Sequence, residues 1–185
     1  MTLAVKSESP ACLRKKAGTS KLSIPLVDLV VPVERIGIPE KIVSGTLRVT
    51  KDPLRLAIAE KVAVVAEESG LFRDGFSMQA GAGGISLAAA DFIRQRMKSA
   101  GIRGSFVSGG ITGQSVEMLK EGLFNRLLDV QSFDLEAVAS IASNPAHAEM
   151  SASFYANSAA KGCSVDMLDL AVLGATQVDT DFNVN

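Results

Sequence analysis

Two glycine-rich segments carry the chemistry most visible in this chain. The first reads Met78-Gln79-Ala80-Gly81-Ala82-Gly83-Gly84 and the second Ser108-Gly109-Gly110-Ile111-Thr112-Gly113. Both fall where a strand should hand over to a helix. Glycine there lets backbone N–H groups approach a ligand closely, and the helix start that follows favours an anion. A phosphate, a carboxylate or a thioester oxygen fits such a place. A third run, Leu173-Gly174-Ala175-Thr176-Gln177-Val178-Asp179, continues to Phe182-Asn183-Val184-Asn185. Taken singly, neither turn matches a nucleotide fingerprint. Gly81-Ala82-Gly83-Gly84 is followed by Ser86 where the dinucleotide motif needs glycine, and no Gly-Lys-Ser/Thr is present. Turns that only reverse the chain are the alternative reading.

The other polar candidates are few. Asp129, with Gln131 and Ser132, follows an apolar run at a place where site residues of α/β proteins collect. Asp134 reads most simply as a helix cap. His147 is the single histidine, which excludes a multi-histidine metal site and leaves one residue for any Ser-His-Asp triad. After Asn144-Pro145 it reads as a surface or hydrogen-bonding residue. Gly113-Gln114-Ser115-Val116-Glu117 begins like a nucleophile elbow but ends on glutamate where glycine is required. Cys163 reads as a buried structural thiol. Asp179 and Asp181 alternate with Val178 and Phe182, the period of a half-buried strand.

These residues need elements to position them. Leu26 to Val33 is a β-branched run whose Pro32 suggests an edge strand, and Ile42 to Val49 is a second strand candidate. Asp52-Pro53 opens a helix with Leu54, Ile58, Val62 and Val65 on one face, stopped by Gly70. Phe76 to Gln79 forms a short strand. Ser86 caps a helix that buries Ala89, Ile93, Met97 and Ala100 and closes at Gly101. Ile102 to Val107 is a strand, followed by a helix through Val116 and Leu119. Leu127 to Val130 is a strand, Asp134 caps a helix with Leu135, Val138 and Ile141 inside, and Leu168 to Gly174 is a last strand. This alternation predicts an α/β fold, a mostly parallel sheet with crossover helices and ligands at the strands' carboxyl ends.

Bulk properties bound the function. The 185 residues suffice for one domain, and 47 % are apolar, enough for a core. A net charge of −1, with no Trp and one Tyr, speaks against nucleic acid. Cys12 and Cys163 are too few and too far apart for a disulfide framework, so the chain reads as cytosolic. No apolar run approaches transmembrane length. Residues 1–22 are polar, basic and aperiodic and read as a loose tail, with residues 23–185 as the α/β domain.

Together, Gly75 to Gly84, Gly109-Gly110-Ile111-Thr112-Gly113, Leu128-Asp129-Val130-Gln131-Ser132-Phe133-Asp134, Asn144-Pro145-Ala146-His147 and Asp181-Phe182-Asn183-Val184-Asn185 resemble the alpha subunit of bacterial citrate lyase. The likeness runs in order from about Val27 to the end. It implies a CoA-transferase-like fold. It also implies a transferase that exchanges acetate for citrate on the thioester of an acyl carrier protein, giving citryl thioester and free acetate. Its implied partners are the beta subunit, which cleaves the citryl group, and the carrier (gamma) subunit, in an oligomeric complex. The thiol would belong to a phosphoribosyl-dephospho-CoA group on the carrier, leaving this chain without a metal or cofactor of its own.

On this reading Gln79, Gly81, Gly83, Gly84, Gly109, Gly110, Thr112 and Gly113 bind the substrate or thioester around one cleft, with Asp129, Gln131 and Asn183 as further candidates. No catalytic nucleophile is assigned. Gln177 stands where the family commonly has glutamate before Val-Asp. The family subunit is longer at both ends, so the chain reads as a partial one, expected to be marginally folded and inactive alone. Two other classes stay open: a ligand-binding sensor on the same scaffold, and an interaction module that docks in a larger complex.

Overall fold

A computed structural model describes residues 29, 31–35, 37–38, 47–159 and 161–184. Of the strand candidate at Leu26–Val33, Leu29 and residues 31–33 are described and form no strand; its other four residues, and most of the candidate at Ile42–Val49, lie outside the described residues. So does the tail at 1–22. The described order is α1 (Pro53–Glu68), β1 (Met78–Ala80), α2 (Gly84–Ala100), β2 (Gly104–Ile111), α3 (Gly113–Lys120), β3 (Phe124–Ser132), α4 (Leu135–Ser143), β4 (His147–Glu149), α5 (Ala152–Ala156), a 3₁₀ turn (Ser164–Met167) and β5 (Leu170–Val172). The strands form one sheet in the order β4-β3-β2-β1-β5, and every pairing is parallel. The expected α/β class and parallel sheet are therefore present.

The local signals work as their chemistry dictates. Asp52 accepts a hydrogen bond from the Arg55 N–H at 2.9 Å, with Pro53 in the first helical turn. Gly101 ends α2 in the left-handed conformation at φ 69°. Asp134 caps α4. The start of α2 differs from expectation: Gly83 is its cap, and Ser86 lies inside the first turn, buried.

From β1 to β4 the chain advances one strand at a time in one direction. Right-handed crossovers then put α2, α3 and α4 on the same face. Residues of α1 to α4 indeed share one core with Met78, Val107, Ile111, Phe124 and Leu127. Phe76 stacks obliquely against Phe72 and Phe124 at centroid distances of 5.4 Å. From β4 the chain must return past three strands to reach β5. It crosses the opposite face, and α5 and the 3₁₀ turn lie on that path.

Two helices bury a different face from the one expected. In α1 the buried residues are Ala59, Ala63 and Ala66, while Leu54 and Val65 are 71 % and 67 % exposed. In α4 Ala137 and Ser140 are buried, and Leu135 and Val138 face outward. Small side chains face the core because α1 packs closely on α2, itself alanine-rich from Ala88 to Ala90. Apolar spacing alone does not say which of two apolar faces is inside.

Residues 178–184 also differ from the alternating strand expected. Val178 and Val184 form one antiparallel bridge around a turn. The Asp179 carboxylate accepts from the N–H groups of Asp181 and Asn183 and from the Asn183 amide. That amide first, then the backbone bonds, holds its pKa below the usual carboxylate range.

A charge cluster joins α2 to the end of α3. Glu121 accepts from Arg94 and, at 2.7 Å, from Lys98. These two bonds, Arg94's first, pull its pKa down to about 2. A depressed carboxylate adds stability above its unfolded pKa near 4.5, and that stability is lost as pH falls toward 2. The pair is partly exposed to solvent, so the contribution at pH 7 is about 1 kcal/mol or less. Glu121→Gln should lower Tm by about 2–4 °C at pH 7, and the difference should close by pH 2. Melting curves that differ equally at both pH values would exclude the ion pair as the cause.

Candidate functional site

The carboxyl ends of β1 and β2 carry both glycine segments, and they play unequal parts. After β1 the chain turns through Gly81, Ala82 and Gly83 into α2. Gly81 donates its N–H to the Val172 carbonyl of β5 at 2.8 Å, which locks the turn to the sheet. Gly84 is pressed against residues 48–50: a Cβ there would lie 2.8 Å from the Arg48 carbonyl oxygen. Thr50 N–H also donates to the Gly84 carbonyl at 3.2 Å. Gly83 is different. Its φ of −72° needs no glycine, and a Cβ would meet nothing within 4 Å among the described residues. Among the described residues no side chain caps α2 at this point. The first N–H groups of a 17-residue helix are thus left beside an open glycine.

The second segment is not a turn. Ser108 to Ile111 continue β2, and the handover to α3 comes at Thr112-Gly113. A bulge separates Gly109 and Gly110, with Gly109 opposite Asp129 and Gly110 opposite Gln131. Gly109 sits at φ 100°, and a Cβ there would lie 2.9 Å from the Gln79 side-chain carbonyl carbon. Both facts require glycine. Gly110 is a packing glycine, since a Cβ would stand 1.9 Å from the Phe133 ring. Gly113 donates its N–H to Asp134 Oδ2 at 2.6 Å, and Asp134 Oδ1 accepts the Ala137 N–H at 2.8 Å. One carboxylate therefore serves the starts of both α3 and α4. The anion seat at the start of α3 is filled from within.

Between α2 and α3 a small cleft of about 10 Å³, room for one water, is lined by Gly81, Leu87, Thr112, Gln114 and Ser115 among others. Gly81 and Thr112 thus meet at one cleft, and Gln79 meets Gly109 beneath it. Leu173, just past β5, also reaches this turn: a Cβ at Gly81 would lie 3.6 Å from its side chain. Strand order reverses between β1 and β5, the place where open α/β sheets form their ligand crevice.

The remaining candidates lie elsewhere. Asp129 is 2 % exposed and faces α4. Its Oδ2 accepts from Ser132 Oγ at 2.5 Å and is 3.2 Å from His147 Nε2, while His147 Nδ1 is 3.0 Å from Ser140 Oγ. The chain Ser140–His147–Asp129 has the membership of a hydrolytic triad but no access, since all three are buried. It clamps the bulged end of β3 to β4 and α4. His147 is thus a buried hydrogen-bonding residue and not a surface one. Gln131 is exposed, and Asn183 belongs to the turn held by Asp179.

Sequence spacing missed Tyr155, Ser164 and Asp169 on the opposite face. Gln79 Nε2 donates to the Tyr155 hydroxyl of α5 at 2.7 Å, Ser108 Oγ meets Ser164 Oγ at 2.5 Å, and Ser77 exchanges hydrogen bonds with Asp169. The only available signal was polar residues, Ser77, Gln79 and Ser108, inside otherwise apolar strands. Among the described residues no three His, Cys, Asp or Glu side chains gather as a metal site, and no helix is long and apolar enough to cross a membrane.

The two classes of glycine can be separated by experiment. Gly110→Ala should destabilise the protein by about 1–3 kcal/mol through overpacking, and pairing it with Phe133→Ala should recover part of that loss. A Gly110→Ala protein with unchanged Tm would remove the packing role.

Comparison with known proteins bears on this geometry. Residues 18–185 match the family model described as citrate lyase, alpha subunit. The citrate lyase alpha chain of Escherichia coli is 51 % identical over 159 residues, covering 86 % of this chain and 31 % of that protein. The Haemophilus influenzae alpha chain is 49 % identical with 32 % of its length covered. A solved structure from Streptococcus mutans, described as an alpha subunit of citrate lyase in complex with citrate, superposes with a TM-score of 0.77 at 45 % identity. It matches 83 % of this chain and 30 % of its own length. The chain spans about a third of the relatives it matches, and over that span it belongs to the citrate lyase alpha subunit family.

Proposed function

We propose that this chain supplies the citrate- and thioester-binding part of an acyl-carrier-protein transferase, exchanging acetate for citrate on the carrier thioester. The observation that carries the proposal is the uncapped start of α2 beside Gly83, next to the Gly81–Thr112 cleft at the point of strand-order reversal. Family membership supports it, as does the citrate in the complex described for the Streptococcus mutans relative.

The chemistry balances without a protein nucleophile. A citrate carboxylate oxygen attacks the acetyl thioester carbonyl. A C–O bond forms, the C–S bond breaks, and the carrier thiolate leaves. The thiolate then attacks the citryl carbonyl of the mixed anhydride, reforming C–S and expelling acetate. Both steps place negative charge on a carbonyl oxygen. The N–H groups at the head of α2 are the donors this chain would offer to that charge. The thiol would be that of the phosphoribosyl-dephospho-CoA group on the carrier subunit, with the beta subunit acting on the citryl product in a cytosolic complex.

A second reading, an interaction module, draws on one observation. An apolar groove of about 640 Å³ runs between α1 and β5, lined by Ile58, Val62, Val65, Leu71 and Leu173 among others. It would suit contact with another part of such a complex.

The test is a citrate titration followed by amide NMR. Citrate, or the acetylated carrier protein, should shift the amides of Gly81, Gly83, Gly84 and Thr112 saturably. Gly83→Val should abolish those shifts while leaving Tm within about 2 °C, because its side chain meets open space. Unmoved amides with both ligands would reject the transferase reading. Shifts confined to the α1–β5 groove on adding the beta or carrier subunit would favour the interaction module.

A further inference from the structure

The return crossover places one residue against the site from the face that carries no long helix. Tyr155 on α5 is half-buried, and its hydroxyl oxygen accepts the Gln79 Nε2–H at 2.7 Å. Gln79 is itself buried, at the carboxyl end of the central strand β1. Gly109, at φ 100°, leaves room for this amide, since a Cβ there would lie 2.9 Å from the amide carbon. The pair is unfinished. With Gln79 Nε2 donating, the tyrosine keeps its own O–H and the amide keeps a second N–H. With the amide turned over, the tyrosine donates and both N–H groups remain. In either arrangement at least one donor has no acceptor among the described residues.

A neutral polar pair in a central strand costs stability unless its hydrogen bonds are made. Of the neighbouring polar pairs on this face, Ser77–Asp169 is closed, and Ser108–Ser164 keeps one O–H but both serines are fully buried. Gln79–Tyr155 keeps two donors and its tyrosine is only half-buried, so it is the pair whose spare donor a ligand can reach; Gln79 is two residues from Gly81.

We propose that Tyr155, oriented by Gln79, is a substrate-positioning residue that donates a hydrogen bond to a carboxylate oxygen of the bound acid. The inference rests on the citrate-binding reading above and names a residue that reading does not use.

The chain supplies its own probe. It has one tyrosine and no tryptophan, so near-ultraviolet absorption and fluorescence excited in the tyrosine band report Tyr155 without a second tyrosine or tryptophan signal. Citrate should change the tyrosine signal saturably, at the same half-point as the glycine amide shifts. Tyr155→Phe keeps the ring and the fold, and it should weaken citrate binding about 10- to 100-fold, the range for a hydrogen bond to a charged group. Amide shifts with a silent tyrosine and unchanged affinity in Tyr155→Phe would overturn this role alone. Neither amide shifts nor a tyrosine response would overturn it together with the functional reading. A buried structural tyrosine would lower Tm on substitution without responding to citrate, which also counts against the proposal.

Discussion

The constraint on which the rest of this structure depends is the hand of its crossovers. Four strands laid down in one direction force α2, α3 and α4 onto one face, and a fifth strand beyond the first forces the chain back over the other. One face is consequently a packed apolar core. The other is a polar seam closed by a five-residue helix and a 3₁₀ turn. The strand-order reversal falls at β1, so the first glycine turn stands where two differently covered faces meet.

Close approach is the second theme. Gly104 lies so near Phe124 that a Cβ would fall 2.1 Å from the ring, and Gly110 is related in the same way to Phe133. Alanines, not leucines, line the inner side of α1. Space is at its minimum inside the sheet, whereas Gly83, at the head of α2, faces open space. The bulged ends of β2 and β3 gain their rigidity from a different source, the carboxylates of Asp129 and Asp134, each of which holds more than one element.

The sequence made the fold readable wherever local chemistry decides structure. Asp52-Pro53, Gly101, Asp134 and Asn144-Pro145 mark helix ends because caps and breakers act over one turn. The inner faces of α1 and α4 were not readable, because either apolar stripe could have faced the sheet until the partner was known. Gly109-Gly110 passed for a turn because a glycine in a bulged strand and a glycine in a reversal look alike without the neighbouring strand. In the site, Gly81 and Thr112 could be foreseen from the strand-to-helix handover. Tyr155 could not, since it reaches Gln79 from 76 residues away through a crossover that leaves no periodic trace. The family likeness carried by the assembled segments reached further than any of these readings, since it uses their order along the chain.

Asp134 gives the cleft a polarity. Two helices, α2 and α3, start at this edge, and both would ordinarily lend partial positive charge to whatever lies between them. The carboxylate of Asp134 already neutralises the head of α3, whereas the head of α2 has no acidic residue in its first turn and, among the described residues, no side-chain cap. The field across the cleft is therefore lopsided. The single water the cleft has room for would turn its oxygen toward the head of α2, so the orientation of a guest is set by a side chain it need never touch.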